Sequence, residues 1–361
     1  MTKIALIFAS MAALSLAGCQ SSSPEQSEQK QDALAATSDP LILSAREQFA
    51  ALPDGPGTIT GVKATPDLTA LGTALYFDPR LSASHSLSCA GCHNMGLGGA
   101  DARPTSLGHR WQHGSRNAPT VLNAVYNMTQ FWDGRAEDLA EQAGGPVSNP
   151  VEMAMPADQV MPTLKSIPGY AKMFASAFPG DKDPIRMENV QTAIAVYEAT
   201  LVTPNAPFDR FLKGDAKALN EAQRRGLQAF MDNGCSACHN GVNMGGSMYA
   251  KFGAVSPPPA DLLPADDLGR FAITKDEADR YAFKVPTLRN IALTAPYFHT
   301  GKVWSLDEAV TVMAKSQLGQ TLPQQDVSDI VAFLQALTGD QPKAIVPVLP
   351  PVDGTSARPV D

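Results

Sequence analysis

Apolar residues recur along this chain at helical rather than strand spacing. Val190, Ile194, Tyr197 and Leu201 form one stripe behind Asp183-Pro184, which reads as a cap and first turn. The segment from Asn220 to Asn233 carries Leu227, Phe230 and Met231 and stops at Gly234, a residue suited to ending a helix. Ser305 and Glu308 have the spacing of a capping box, with Val310 and Met313 following on one face. Val327, Ile330, Leu334 and Leu337 predict a last amphipathic helix ending at Gly339. Convincing period-two alternation is absent, so few or no strands are expected. With 28 Gly and 29 Pro, the chain predicts short helices joined by long loops.

The two ends stand apart from this pattern. Behind Lys3, the run from Ile4 to Ala17 is 14 residues long. A membrane span needs about 20 residues, whereas a signal-peptide core is shorter. The run ends in Leu16-Ala17-Gly18-Cys19, which resembles a bacterial lipoprotein signal. That resemblance implies cleavage before Cys19 and a lipid anchor on its thiol; an ordinary secretory signal is the competing reading. Both place the mature chain in the periplasm. Residues 20–38 are polar and Ser/Gln-rich, the composition of a tether. From Gln341 the chain is Pro-rich, predicting a tail that lies extended over the surface or is disordered.

Composition narrows the classes. The 361 residues are 44% hydrophobic and 18% charged, which is globular and long enough for two domains. The net charge of −8 argues against a nucleic-acid partner and suits a basic or dipolar protein partner steered by charge.

The cysteines carry the chemistry. Besides Cys19 there are two pairs, each followed directly by His: Cys89-Ala90-Gly91-Cys92-His93 and Cys235-Ser236-Ala237-Cys238-His239. This is the attachment signature of c-type haem. Residues three apart share one face of a helical turn, so both thiols reach the two vinyl groups of one porphyrin, and the His lies on the same side to ligate iron. A disulfide would not need His after both pairs. A zinc module would not separate its pairs by 146 residues. A thioredoxin-like pair would need a βαβ context.

The chain also repeats itself. Pro119-Thr120-Val121-Leu122-Asn123-Ala124 leads to Phe131-Trp132-Asp133-Gly134-Arg135 and Leu139. Pro286-Thr287-Leu288-Arg289-Asn290-Ile291 leads to Phe298-His299-Thr300-Gly301-Lys302 and Leu306. Pro to Phe is 12 residues and Pro to Leu is 20 in both copies. After the haem motifs, Gly98-Gly99 matches Gly245-Gly246. Two cytochrome c-like haem domains related by internal duplication are expected. The boundaries are a signal at 1–18, a tether at 19–39, a first haem domain at 40–200, a second at 201–340 and a tail at 341–361. The joint falls at Thr203-Pro204-Asn205-Ala206-Pro207.

Over residues 40–345 these motifs resemble those of the bacterial dihaem cytochrome c peroxidases. The family reduces hydrogen peroxide to water with electrons from a small periplasmic donor, a cytochrome c or a cupredoxin. The resemblance implies two covalently bound haem c groups, with His93 and His239 on the irons. It implies Met313 as sixth ligand of the electron-accepting second haem; Met244 and Met248 are weaker candidates. It implies His109 as the releasable sixth ligand of the peroxidatic first haem, with His113 a minor rival and His85 a surface or supporting residue. Glu152 matches the acid/base carboxylate. Gln142 and Phe131 match residues of the same pocket, and Trp132 the aromatic between the haems. Asn117, Thr294 and Pro296 match ligands of a calcium ion bridging the domains. His299 matches a residue near that bridge and the second haem, with a structural or electron-path role. A homodimer is a family expectation. Two rival readings are a dihaem oxidase acting on protein side chains, in which Tyr replaces the axial Met, and a non-catalytic dihaem carrier. Met313 argues against the first, Glu152 and His109 against the second.

Overall fold

The structure, a computed structural model, describes residues 39–360. The signal-like run and Cys19 lie outside the described residues. The first part of the chain forms α1 (Pro40–Gln48), α2 (Pro66–Phe77), α3 (Cys89–Cys92), α4 (Leu139–Ser148), α5 (Ala157–Lys165), α6 (Pro168–Ala177) and α7 (Met187–Glu198). The second part forms α8 (Pro207–Lys213), α9 (Glu221–Asp232), α10 (Phe271–Thr274), α11 (Leu306–Leu318) and α12 (Gln324–Gln335). Among the described residues the only sheet is an antiparallel pair of β1 (Tyr249–Lys251) and β2 (Ala282–Lys284), joined through the segment that holds α10 and pairing Tyr249 with Lys284. Within those residues no helix is long and apolar enough to cross a membrane.

Each unit is built on one close helix crossing. In the first, α2 packs on α7 through Leu68, Leu71, Leu75, Val190 and Ile194. A Cβ on Gly72 would overlap the Ala193 carbonyl, so the two backbones meet there. In the second, α9 crosses α12 in the same way, with Gly226 against the Asp329 carbonyl and Leu227, Phe230, Ile330 and Phe333 around it. The duplication seen in the motifs is therefore present in the packing.

The copies meet on one hydroxyl. Asn123 and Asn290, matched in the repeat and both left-handed, each donate from Nδ2 to Thr203 Oγ1 at 2.8 Å. Their own N–H groups donate to Leu201 O and Leu337 O, the chain just past α7 and α12. The predicted joint is thus a buried polar seam rather than a loose linker.

Several expectations are corrected. The helix expected after Asp183-Pro184 begins at Met187 behind Arg186, because Asn189 Nδ2 bonds the Pro184 carbonyl and holds that turn outside the helix. Only half of the Ser305 capping box forms: Ser305 accepts from Glu308 N–H. The last helix stops at Gln335, not Gly339, because Gly339 packs onto the Thr203 carbonyl. Residues 40–52, expected in the first haem domain, instead place Ile42, Ala45 and Phe49 in the second core. The tail runs the opposite way, over the first unit. Arg80 donates to Pro350 O, Ala357 N–H to Ser166 Oγ, and Val360 N–H to Ala83 O. The two ends of the described chain are crossed between the units.

One ion pair secures that crossing. Arg289 Nη1 meets Asp209 Oδ1 at 2.7 Å with both side chains fully buried. Arg289 also donates to Ala50 O and to Val242 O in the second haem loop, and Asp209 accepts from Leu52 N–H. The first unit has Leu122 at the matching position. Arg289→Leu would strand the buried Asp209 carboxylate and is expected to cost about 3–5 kcal/mol. Denaturant unfolding checks this; a loss below about 1 kcal/mol would contradict it.

Candidate functional site

The two Cys-x-x-Cys-His turns are folded alike. His93 N–H donates to Cys89 O at 2.9 Å and His239 N–H to Cys235 O at 3.0 Å. His93 Nδ1 lies 3.3 Å from Gly99 O, and His239 Nδ1 lies 3.3 Å from Met244 O. A carbonyl can only accept, so each Nδ1 carries the proton and each Nε2 keeps its lone pair free to ligate a metal. Burial lowers both imidazoles, His239 to about 4, which keeps them neutral as an iron ligand must be. The Gly pairs explain themselves here. Gly98, Gly99, Gly245 and Gly246 all have positive φ, and a Cβ on Gly245 would overlap the Pro286 carbonyl. Thr120 and Thr287 close the loops by donating to Gly98 O and Asn243 O.

The four thiols form no disulfide. Burial pushes Cys89 up to about 12 and Cys235 up to about 11. That is the opposite direction from the depressed thiol of a reactive redox pair.

An apolar cavity opens on the second pair. Cys235, Cys238 and His239 share its wall with Phe230, Leu288 and Met313 of α11. Met244 and Met248 do not line it; Met244 is buried in the second core. The thiols, the neutral His and the thioether around one apolar space fit a haem c. The same cavity is lined by Trp132, Asn117, Thr294, Pro296 and His299, so both units contribute to it. Trp132 Nε1 donates to Asn117 O at 2.9 Å, and Asn117 N–H donates to His299 O at 2.7 Å. His299 stacks on Phe283 with ring centres 4.2 Å apart. Among the described residues no cluster of three or more His, Cys, Asp or Glu could hold a metal. A cation at Asn117, Thr294 and Pro296 would therefore rest on amide and carbonyl oxygens. Asn117 Nδ2 donates to Arg103 O, which orients the amide and keeps Oδ1 as its acceptor.

The first unit differs in the loop that carries His109. His109 sits in a short 3-10 turn whose next two residues, Arg110 and Trp111, are both left-handed. Its N–H donates to Glu152 O at 2.7 Å, and its carbonyl accepts from Gln112 Nε2. A Cβ on Gly108 would overlap the Val151 carbonyl, so the two loops touch at backbone level. Asn149 Nδ2 donates to Glu152 Oε1 at 2.7 Å. Burial raises the Glu152 carboxyl, against the opposing pull of Arg135 and Asn149. The charge of Glu152 reaches both Cys89 and Cys92. Phe131 lies under the Arg135 guanidinium at 3.5 Å and packs on Gly145 of α4, the helix that carries Gln142. His113 is exposed, 3.2 Å from Thr105 Oγ1. His85 is half-buried.

Sequence reading missed two features. Arg116 bridges the units, bonding Asp133 at 2.7 Å and Asp267 at 2.6 Å. Spacing could not have shown it, because Asp267 lies in an unrepeated loop. Glu198, on the buried face of α7, has its Oε2 without a partner, and burial pushes it up to about 8.

Two outcomes follow. Cys235→Ser with Cys238→Ser is expected to halve the covalent haem measured by pyridine haemochrome while leaving the first site loaded; unchanged content would contradict the assignment. Glu198 has a folded value near 8 against about 4.3 when unfolded. The folded state thus holds the proton more tightly, and this group lowers stability as pH rises between those values. Glu198→Gln removes that penalty, so its gain in Tm over the parent should grow from pH 5 to pH 8. A gain independent of pH would contradict the reading.

The comparisons agree with this geometry. Residues 66–217 match the family profile for di-haem cytochrome c peroxidase and residues 223–338 that for cytochrome c. The cytochrome c551 peroxidase of Pseudomonas aeruginosa is 53% identical over 326 residues, 90% of this chain and 94% of that protein. The cytochrome c551 peroxidase of Nitrosomonas europaea is 48% identical over 292 residues, 81% of this chain and 86% of that one. A crystal structure of a MauG-like protein associated with microbial copper homeostasis superposes with a TM-score of 0.71 at 27% identity, covering 80% of this chain and 95% of the other. Two haem-type units of this construction, matched in sequence over nine-tenths of the chain, place it in the di-haem cytochrome c peroxidase family.

Proposed function

We propose that this chain is a cytochrome c peroxidase. It reduces hydrogen peroxide to two waters with two electrons and two protons, the electrons coming from a small cytochrome c or cupredoxin. The observation that carries this is an asymmetry between otherwise matched sites. Both hold a neutral His through the same carbonyl contact, but Met313 shares the second cavity, whereas beside the first site the His109 loop is bonded to Glu152, whose charge reaches Cys89 and Cys92. Met313 in that wall also favours a peroxidase over a side-chain oxidase. Cys89, Cys92 and His93 would hold one haem and Cys235, Cys238, His239 and Met313 the other; the two would supply the electron transfer and the redox chemistry of peroxide reduction.

The chain's residues supply the rest. Met313 keeps the second site closed, suiting it to receive electrons. His109 covers the first site and leaves when the donor reduces the second. Its loop continues through Arg116 and Asn117, which bond Asp267 and the His299 carbonyl in the second unit. A change around the second cavity thus has a short mechanical route to His109. Moving the loop breaks the His109 N–H bond to Glu152 O, so uncovering the site and adjusting Glu152 are one event. Glu152 takes the proton from one peroxide oxygen and returns it to the other, a transfer favoured by its raised carboxyl. Phe131 and Gln142 shape this pocket, and Trp132 and His299 lie on the path between the units. A calcium ion on Asn117, Thr294 and Pro296 would tie the same junction together. Export and lipid anchoring through Cys19 complete the reading, with a homodimer as the family expectation.

Glu152→Gln keeps the shape of the side chain and removes its proton exchange. Turnover of peroxide with reduced cytochrome c should fall by about 10²–10⁴-fold at unchanged haem content. Turnover within twofold of the parent would refute the acid/base role.

A further inference from the structure

The cavity beside Cys235, Cys238 and His239 contains a charged side chain that no described residue neutralises. Lys284, the last residue of β2, lines this cavity and is only 7% exposed. Its backbone is fixed on both sides, paired with Tyr249 across the two-stranded sheet and donating to Trp132 O at 2.7 Å. Its ammonium makes no hydrogen bond or ion pair. Burial alone pushes it down to about 8, with no carboxylate acting on it. The acids on neighbouring elements are already engaged. Asp133 holds Arg116 and Arg135, Asp267 holds Arg116, and Asp279 faces Arg270. His299, stacked on the adjacent Phe283, is kept neutral by burial.

An ammonium on a side chain this buried, bordering the cavity and without a partner among the described residues, would be stabilised by an anion placed in that cavity. The group that the two thiols and His239 fit carries two propionate carboxylates on an otherwise apolar ring. We propose that Lys284 is the counter-cation of a propionate of the second haem and pins that carboxylate at the junction with Trp132. This rests on the haem reading of the cavity. It makes Lys284 a positioning residue: it sets the placement and redox balance of the electron-entry site without touching peroxide.

The test uses the full holoprotein, with covalent haem counted in every variant. Lys284→Met keeps the apolar stem and removes the charge, Lys284→Arg keeps the charge, and Lys284→Gln serves if the Met variant does not fold. A cation near the porphyrin favours the reduced state. Its loss should shift the reduction equilibrium of the second haem about tenfold toward the oxidised form, the effect of a unit charge at roughly 12 Å and an effective dielectric near 20. The first haem should move less, and the Arg variant should restore the parent value. An unchanged equilibrium in the Met variant overturns the proposal. So does an equal shift in the Met and Arg variants, or a shift confined to the first haem. A parent chain with fewer than two haems would refute the underlying haem reading instead, so the two failures are separable.

Discussion

An imidazole serves as a fixed iron ligand only when its other nitrogen is held. In this chain the holding group is a backbone carbonyl, Gly99 for His93 and Met244 for His239, at the same distance in both copies. Much of the local structure exists to deliver those carbonyls. The positive-φ glycines turn the chain back sharply, and the Thr hydroxyl of each Pro-Thr segment closes the loop. The proximal halves are therefore interchangeable in design, and the functional difference lies in what faces them.

That difference needs the two halves to be mechanically joined. The joint is polar, buried and shared: Thr203 takes one bond from each copy's Asn, Arg116 spans two acids, and Arg289 ties Asp209 to the second haem loop. Such networks are stable only when complete. They favour a rigid frame between the two units.

The two units, their duplication and the haem-binding turns were legible in the sequence, because covalent attachment demands fixed residue types at fixed spacing. The amphipathic faces of α9 and α12 were legible for the same periodic reason. Long-range pairings were not. Nothing local in residues 40–52 says that Phe49 packs on Phe208 rather than on the adjoining unit. Nothing in the Pro-rich tail says that Ala83 accepts from Val360. Nothing in the sequence singles out Lys284 before the cavity it lines is seen. The roles of His109, Glu152 and Asn117 came from resemblance. The structure adds the contact of His109 with Glu152 and the bond from Asn117 to the His299 carbonyl.

The central claim is that two like proximal sites do unlike work. The most direct measurement is a stepwise reductive titration of the purified dihaem protein followed by optical spectra, with peroxide added at each stage. Two separated one-electron steps are predicted: the second haem reduces first with the spectrum of a His/Met site, and the first haem then becomes reactive toward peroxide. A single unresolved two-electron step, with both irons six-coordinate throughout and no reaction with peroxide, would contradict the account.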